Sequence, residues 1–342
     1  IGSTRGVDRT LVEATGVRFY GIPSGKLRRY ASLENVIDLF RVVAGIFASL
    51  ILFIRHRPRL LFSKGGFVSV PPCIAAFLLR IPVITHECDF SPGLATRINS
   101  RFARWVFVSY AETVDRLPQS ARARAIVTGN PVRSAFYSAR AERGREFLGF
   151  GEEGLPILLV QGGSLGARQI NEIIASSLPT LLTGFRVVHQ TGKDWVDASA
   201  GVPQDATGIM HDAMGGYRAF PFIGAEMSDV LACADLVVSR AGANSVWECA
   251  TLGKPMILIP LEKGASRGDQ IENADYFASR GAAIVLSGEK ASAQGLLTAA
   301  SSLASDPGRA RLMSERAASI AGDRPSVGVA ERLLRAFAGE DL

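Results

Sequence analysis

The run Leu236 to Glu248, LVVSRAGANSVWE, places an apolar strand, a tight Arg-Ala-Gly turn and a carboxylate within a few residues of one another. A helix starting near Ala243 or Asn244 leaves its first backbone N–H groups unpaired and carries partial positive charge, which suits a phosphate or pyrophosphate. One turn further in, Glu248 is spaced to accept both hydroxyls of a ribose whose phosphates lie on the turn. The combination points to a nucleotide. A solvated helix glutamate is the plainer alternative.

Upstream, Ile157 to Gln161 runs into Gly162-Gly163-Ser164-Leu165-Gly166-Ala167-Arg168 and then a helical pattern. Two strand-to-helix glycine turns in one half of a chain reinforce each other. Neither matches the dinucleotide fingerprint or a Walker A loop.

Around these turns the chain alternates short Val/Ile/Leu runs with helical stretches, which predicts parallel α/β architecture. With 342 residues and 47% apolar content it can form two cores. Strands are expected at Arg59–Ser63, Pro82–His86, Trp105–Ser109 and Ala125–Thr128, then at Ile157–Gln161, Phe185–His189, Arg218–Phe222, Leu236–Ser239, Met256–Pro260 and Ala283–Leu286. The expected division is residues 1–134, joined by a last helix over 325–342, and residues 135–324. Ligands of such sheets bind beyond the carboxyl ends of the strands. That rule selects Lys64-Gly65-Gly66, His86-Glu87-Cys88-Asp89, Gly162 to Gly166, Gln190 to Lys193, Gly242 to Ser245 and Glu262 to Gln270. His189 ends a strand and either lines a cleft or is a satisfied core histidine.

The net charge is +6, yet no long basic run or basic–aromatic interleaving appears, so nucleic acid is not expected as a partner. Cys73, Cys88, Cys233 and Cys249 lack metal spacing and read as reduced thiols of a cytosolic protein without a signal peptide. The uncharged run Val42 to Ile54, flanked by Arg41 and by Arg55, His56 and Arg57, falls short of the ~20 residues of a bilayer span. It reads either as a buried or amphipathic helix, or as a face dipping into an anionic membrane surface with Lys26, Arg28 and Arg29 beside it.

The segments Lys64-Gly65-Gly66-Phe67-Val68-Ser69, His86-Glu87, Gly129-Asn130-Pro131-Val132-Arg133, Gly162 to Arg168 and Asp269-Gln270 together resemble the MurG family of glycosyltransferases, in order along the chain. The resemblance implies a GT-B fold, two Rossmann-like parallel-sheet domains facing across a cleft. It implies inverting, metal-independent transfer of N-acetylglucosamine from its UDP donor to undecaprenyl-pyrophosphoryl-MurNAc-pentapeptide, lipid I, during peptidoglycan synthesis. No cofactor is expected, and the sequence shows no obvious Asp-x-Asp. The setting would be the cytoplasmic face of the cell membrane, with cell-wall synthesis and division proteins as further partners.

Carried over residue by residue, Ser164, Ala243, Asn244 and Ser245 would line the donor phosphates, Arg133 would neutralise charge, and Ile223 would offer its backbone to uracil. Glu248 would hold the ribose, and Asp269 with Gln270 would contact the sugar. Asp89 stands where many members of the family have Asn, in a loop expected near the donor sugar. Lys64, Gly65 and Gly66 would take the acceptor pyrophosphate, with His86 and Glu87 in supporting roles. The family pattern opens with a strand, a glycine loop bearing its proposed catalytic histidine, and a helix. Against that pattern, roughly 30 residues are expected to precede Ile1. Three other functions share parts of this pattern: a diacylglycerol glycosyltransferase using a UDP-sugar, a UDP-N-acetylglucosamine 2-epimerase, and a non-catalytic UDP-sugar sensor.

Overall fold

The computed structural model describes residues 1–4, 8–25, 33–151, 154–162, 167–192, 195, 210–211, 215–262, 268–322 and 324–342. They divide into a first unit, Ile1–Gly129 with Val327–Leu342, and a second, Asn130–Ser326.

The first unit opens with β1 (Gly2–Ser3), α1 (Asp8–Glu13), β2 (Gly21–Ile22) and α2 (Leu33–His56). β3 (Leu61–Ser63), α3 (Val70–Leu78), β4 (Val83–Glu87), α4 (Leu94–Phe102) and β5 (Trp105–Val108) follow. The short helices α5 (Thr113–Arg116) and α6 (Gln119–Arg122) lead into β6 (Ala125–Val127). β1 and β2 pair as one parallel sheet, and β3-β4-β5-β6 form another in simple sequential order. Val83, Val106 and Val108 pack with Phe53, Cys73 and Ala76 on one face; Ile84 and Phe107 meet Val329 and Ala336 on the other. Fully burying each such aliphatic side chain is worth about 1.5–3 kcal/mol.

The uncharged run Val42 to Ile54 is only part of a longer helix, contrary to the expectation from its length. Its helix, α2, has 24 residues, because it continues N-terminally through Asp38 and Arg41. The window Ile37–His56 is long and apolar enough to cross a membrane by length and composition, though one such helix is weak evidence of a span. Asp38, Val42, Gly45, Ser49 and Phe53 make its buried stripe. A Cβ on Gly45 would lie 2.3 Å from the Pro23 carbonyl oxygen and 3.1 Å from the Pro71 ring, so only glycine allows this close packing. The other side exposes Leu39, Phe40, Phe47, Ile51 and Ile54.

The second unit contains α7 (Ala141–Leu148), β7 (Ile157–Gln161), α8 (Arg168–Leu181), β8 (Arg186–Gln190), β9 (Met210–His211), β10 (Tyr217–Phe220) and α9 (Met227–Cys233). It continues with β11 (Leu236–Ser239), α10 (Ala243–Thr251), β12 (Met256–Leu258), α11 (Asp269–Ser279), β13 (Ala283–Val285), α12 (Ala293–Ala304) and α13 (Pro307–Ala321). A last helix, α14 (Pro325–Ala338), carries the chain from the second unit into the first.

The sheet order is β13-β12-β11-β7-β8-β10-β9, parallel except for the β9 edge, which the sequence reading did not anticipate. From β7 the chain proceeds outward to β8 and β10, then returns to the other side of β7 as β11. The order therefore reverses between β7 and β11, which is where open parallel sheets offer a crevice for ligands. β7 and β11 are buried at every residue, as continuous aliphatic strands covered on both faces should be.

Candidate functional site

The loop from β11 to α10 sits on the reversal point. Gly242 is the N-cap of α10, so no side-chain cap bond closes the helix start at Ala243, Asn244 and Ser245. Asn273 Nδ2, from α11, donates to the Ala241 carbonyl at 3.1 Å and braces the loop. Buried Asn130 donates from Nδ2 to Asn244 Oδ1 at 3.0 Å, which fixes the first turn of α10. Glu248 lies one turn in, half-buried, with Arg133 Nε donating to Oε1 at 3.3 Å. Burial raises the Glu248 pKa and Arg133 opposes the rise.

Arg240 belongs to the same loop and escaped the sequence reading. Its guanidinium makes no hydrogen bond or ion pair among the described residues, and burial lowers its pKa. A cation at the mouth of a helix N-terminus is a ready counter-charge for an anion. Its signal was present in the sequence as the residue between strand and glycine turn, overshadowed by the glycine itself.

Beyond β10, the Ile223 N–H donates to Gln190 Oε1 at 3.0 Å, so this peptide is anchored to the end of β8. Beside it Phe222 exposes an aromatic face, a second feature not anticipated. Gln270 Oε1 accepts from the Leu261 N–H at 3.0 Å, and Asp269 opens α11 after Gly268, whose φ of +86° requires glycine. Ser164 lies outside the described residues, as do Lys26, Arg28, Arg29 and Lys193. His189 is a core histidine: Tyr217 Oη lies 3.0 Å from Nδ1 and Asn171 Oδ1 3.0 Å from Nε2.

In the first unit, Lys64 follows β3 and leads into Gly65 and Gly66, whose φ angles of +81° and +78° suit glycine. His86 is fully buried at the end of β4, with Lys64 Nζ 3.1 Å from Nδ1 and the Gly129 carbonyl 3.0 Å from Nε2. Burial and the Lys64 charge push its pKa down to about 3, against the favourable bond to Gly129. Glu87 is a loop clamp, since Oε1 accepts from Asp89 N–H at 3.0 Å and Oε2 from Gly93 N–H at 2.9 Å. Glu87, Cys88 and Asp89 offer ligand atoms within 4.8 Å of one another. The Glu87 oxygens are engaged by backbone, however, and burial pushes the Cys88 thiol up to about 12, which keeps it from being a thiolate.

Each unit thus has a distinct chemistry. The second carries a helix start without a side-chain cap, a guanidinium with no hydrogen bond or ion pair among the described residues, a carboxylate, and an anchored peptide beside an aromatic ring. The first sets a lysine and a glycine turn above a neutral histidine.

Residues 1–108 match the glycosyltransferase family 28 N-terminal domain and residues 157–324 match its C-terminal domain. A Treponema denticola protein named UDP-N-acetylglucosamine–N-acetylmuramyl-(pentapeptide) pyrophosphoryl-undecaprenol N-acetylglucosamine transferase is 49% identical over 357 aligned residues, covering 100% of this chain and 91% of the relative. A Bacillus cereus transferase 2 of the same name is 43% identical, covering 87% of this chain and 80% of its own length. The crystal structure of Acinetobacter baumannii MurG has the same fold at a TM-score of 0.69 and 22% identity, covering 97% of this chain and 89% of that one. A UDP-N-acetylglucosamine 2-epimerase structure also shares the fold, at a TM-score of 0.66 and 15% identity, covering 98% and 86%.

Proposed function

This chain belongs to the MurG family of glycosyltransferase family 28, with the GT-B fold, and from that premise we propose that it converts lipid I to lipid II. The reaction is transfer of N-acetylglucosamine from UDP-N-acetylglucosamine to the C4 hydroxyl of MurNAc in undecaprenyl-pyrophosphoryl-MurNAc-pentapeptide. The observation that carries this reading is the 49% identity spanning the whole chain to a transferase of that name. The second unit supports it chemically.

The acceptor hydroxyl attacks the anomeric carbon, a base takes its proton, and the bond to the UDP oxygen breaks. Attack opposite the leaving group inverts the anomeric centre. Negative charge accumulates on the departing pyrophosphate. The start of α10 over Ala243, Asn244 and Ser245, with Arg240 and Arg133, offers positive charge that is already in place, so no metal is required. Glu248 accepts the ribose hydroxyls, the Ile223 peptide meets uracil with Phe222 against the base, and Asp269 and Gln270 contact the sugar. The family resemblance alone adds Ser164 to the residues proposed for the phosphates.

Lys64, Gly65 and Gly66 bind the acceptor pyrophosphate. The apolar exposed face of α2 rests on the anionic surface in which the acceptor is dissolved, a peripheral association at the cytoplasmic side. The test is transfer, by the full-length protein, of radiolabelled N-acetylglucosamine from UDP to a short-chain lipid I analogue. Labelled disaccharide product is expected. Formation of UDP-N-acetylmannosamine without acceptor would replace the reading with an epimerase, and donor binding without turnover would replace it with a sensor.

A further inference from the structure

The two ring nitrogens of His86 have fixed roles. A carbonyl only accepts, so Nε2, 3.0 Å from the Gly129 oxygen, must carry the proton. An ammonium only donates, so Nδ1, 3.1 Å from Lys64 Nζ, must be the lone pair. One species satisfies both: the neutral imidazole protonated at Nε2. A proton taken up at Nδ1 would point an N–H at the ammonium from a fully buried ring. The ring is therefore poorly placed to act as a base.

Part of Lys64 reaches solvent while its ammonium lies against the buried ring, and its chain runs straight into a braced turn. Gly65 N–H donates to Ser63 Oγ at 3.2 Å, Asn99 Nδ2 donates to Ser69 Oγ at 2.7 Å, and Ser69 Oγ donates to the Gly66 carbonyl at 2.7 Å. The ring holds the ammonium at one end of this turn. Burial draws the Lys64 pKa down while the Glu87 and Asp89 carboxylates oppose the fall.

We propose that His86 is a positioning residue that acts through Lys64, accepting from its ammonium at Nδ1 so that the cation stands beside the Gly65–Gly66 turn to meet the pyrophosphate of a polyprenyl-linked acceptor. This rests on the lipid-acceptor reading above.

The experiment measures acceptor and donor KM separately, on the full chain, for wild type, K64M, H86Q, H86F and the K64M/H86F double variant, with a short-chain lipid I analogue. K64M is expected to raise the acceptor KM by ~10-fold or more, the usual consequence of losing a charge-assisted hydrogen bond, with donor KM unchanged. H86F should match it, and H86Q should recover most of the loss, because the glutamine amide offers an oxygen to Lys64 and an N–H to Gly129. The double variant should be no worse than either single, since both remove one interaction. A wild-type acceptor KM in K64M overturns the proposal, as does an inactive H86Q beside an active K64M, which would make the ring the base. Should H86F not fold, K64M and H86Q decide. If wild type does not turn over the analogue, the transferase reading falls. Equilibrium binding of the same analogue to wild type and K64M then tests the pair by itself, and equal affinity overturns it.

Discussion

Arg133 Nε lies 3.3 Å from Glu248 Oε1, so the carboxylate assigned to the ribose is held in place by a guanidinium from the segment that opens the second unit. Arg133 is 59% exposed and Glu248 only 15%, so the arginine is the solvated partner, and its charge opposes the rise that burial imposes on the carboxylate pKa.

Replacing that carboxylate separates donor from acceptor. Glu248→Ala should weaken UDP-N-acetylglucosamine binding by ~10-fold or more, the worth of hydrogen bonds to a charged group, and leave acceptor affinity unaltered. Isothermal titration with each ligand checks it, and equal donor affinity in the variant would reject the ribose role. Stability should hardly change, because Arg133 remains hydrated when its partner is gone.

Arg240 should matter to the chemical step more than to binding. Arg240→Ala is expected to lower kcat by ~100-fold or more, the usual size of losing one preorganised electrostatic contact, with a smaller change in donor KM. Arg240→Lys should restore only part, since an ammonium lacks the planar fork. A variant with wild-type kcat, measured at saturating donor and acceptor, would remove Arg240 from the leaving-group site.

His86 makes stability depend on pH in a definite direction. Its folded pKa, about 3, is below the ordinary histidine value of 6.5, so between these values the unfolded chain binds the extra proton. The contribution is complete above pH 6.5 and is lost as pH falls toward 3, by at most ~1.4 kcal/mol per pH unit. Unfolding midpoints for wild type and His86→Gln between pH 4 and 8 should converge as pH falls. Parallel curves would show that the ring is not held neutral.

The outer face of α2 can be tested without disturbing the core. Phe40, Phe47 and Ile51 are 72%, 62% and 69% exposed, so changing all three to Ser should leave the unfolding midpoint nearly unmoved. Sedimentation with anionic vesicles should fall by at least ~10-fold, given the transfer energy of three large apolar groups. Unchanged vesicle binding would assign that face to another partner.

Much of the fold was legible in the sequence because its strands are doubly covered. Ile157–Gln161 and Leu236–Ser239 are continuous aliphatic runs ending in polar residues and glycine, and they form the two strands at the reversal point. The start of α10 was legible from Gly242. The N-terminal part of α2 was not, because Asp38 and Arg41 interrupt the apolar run. In the structure they pair at 2.9 Å across one turn, and the helix passes through them. The site was legible as loops and not as connections. Gln190 to Ile223, Asn273 to Ala241 and Asn130 to Asn244 join residues far apart in the chain, and no local pattern announces such bonds. Arg240 was in plain view but is made conspicuous only by having no partner among the described residues.

The division of the chain also sets an order of assembly on the ribosome. The second unit is one uninterrupted stretch, Asn130–Ser326, and can close as soon as it has emerged. The first cannot, because Val329 and Ala336 of α14 cover Ile84 and Phe107 and are translated after the whole of the second unit. Until then one apolar sheet face of the nascent first unit stays uncovered, so a pause in translation before α14 would favour chaperone capture or aggregation through that face.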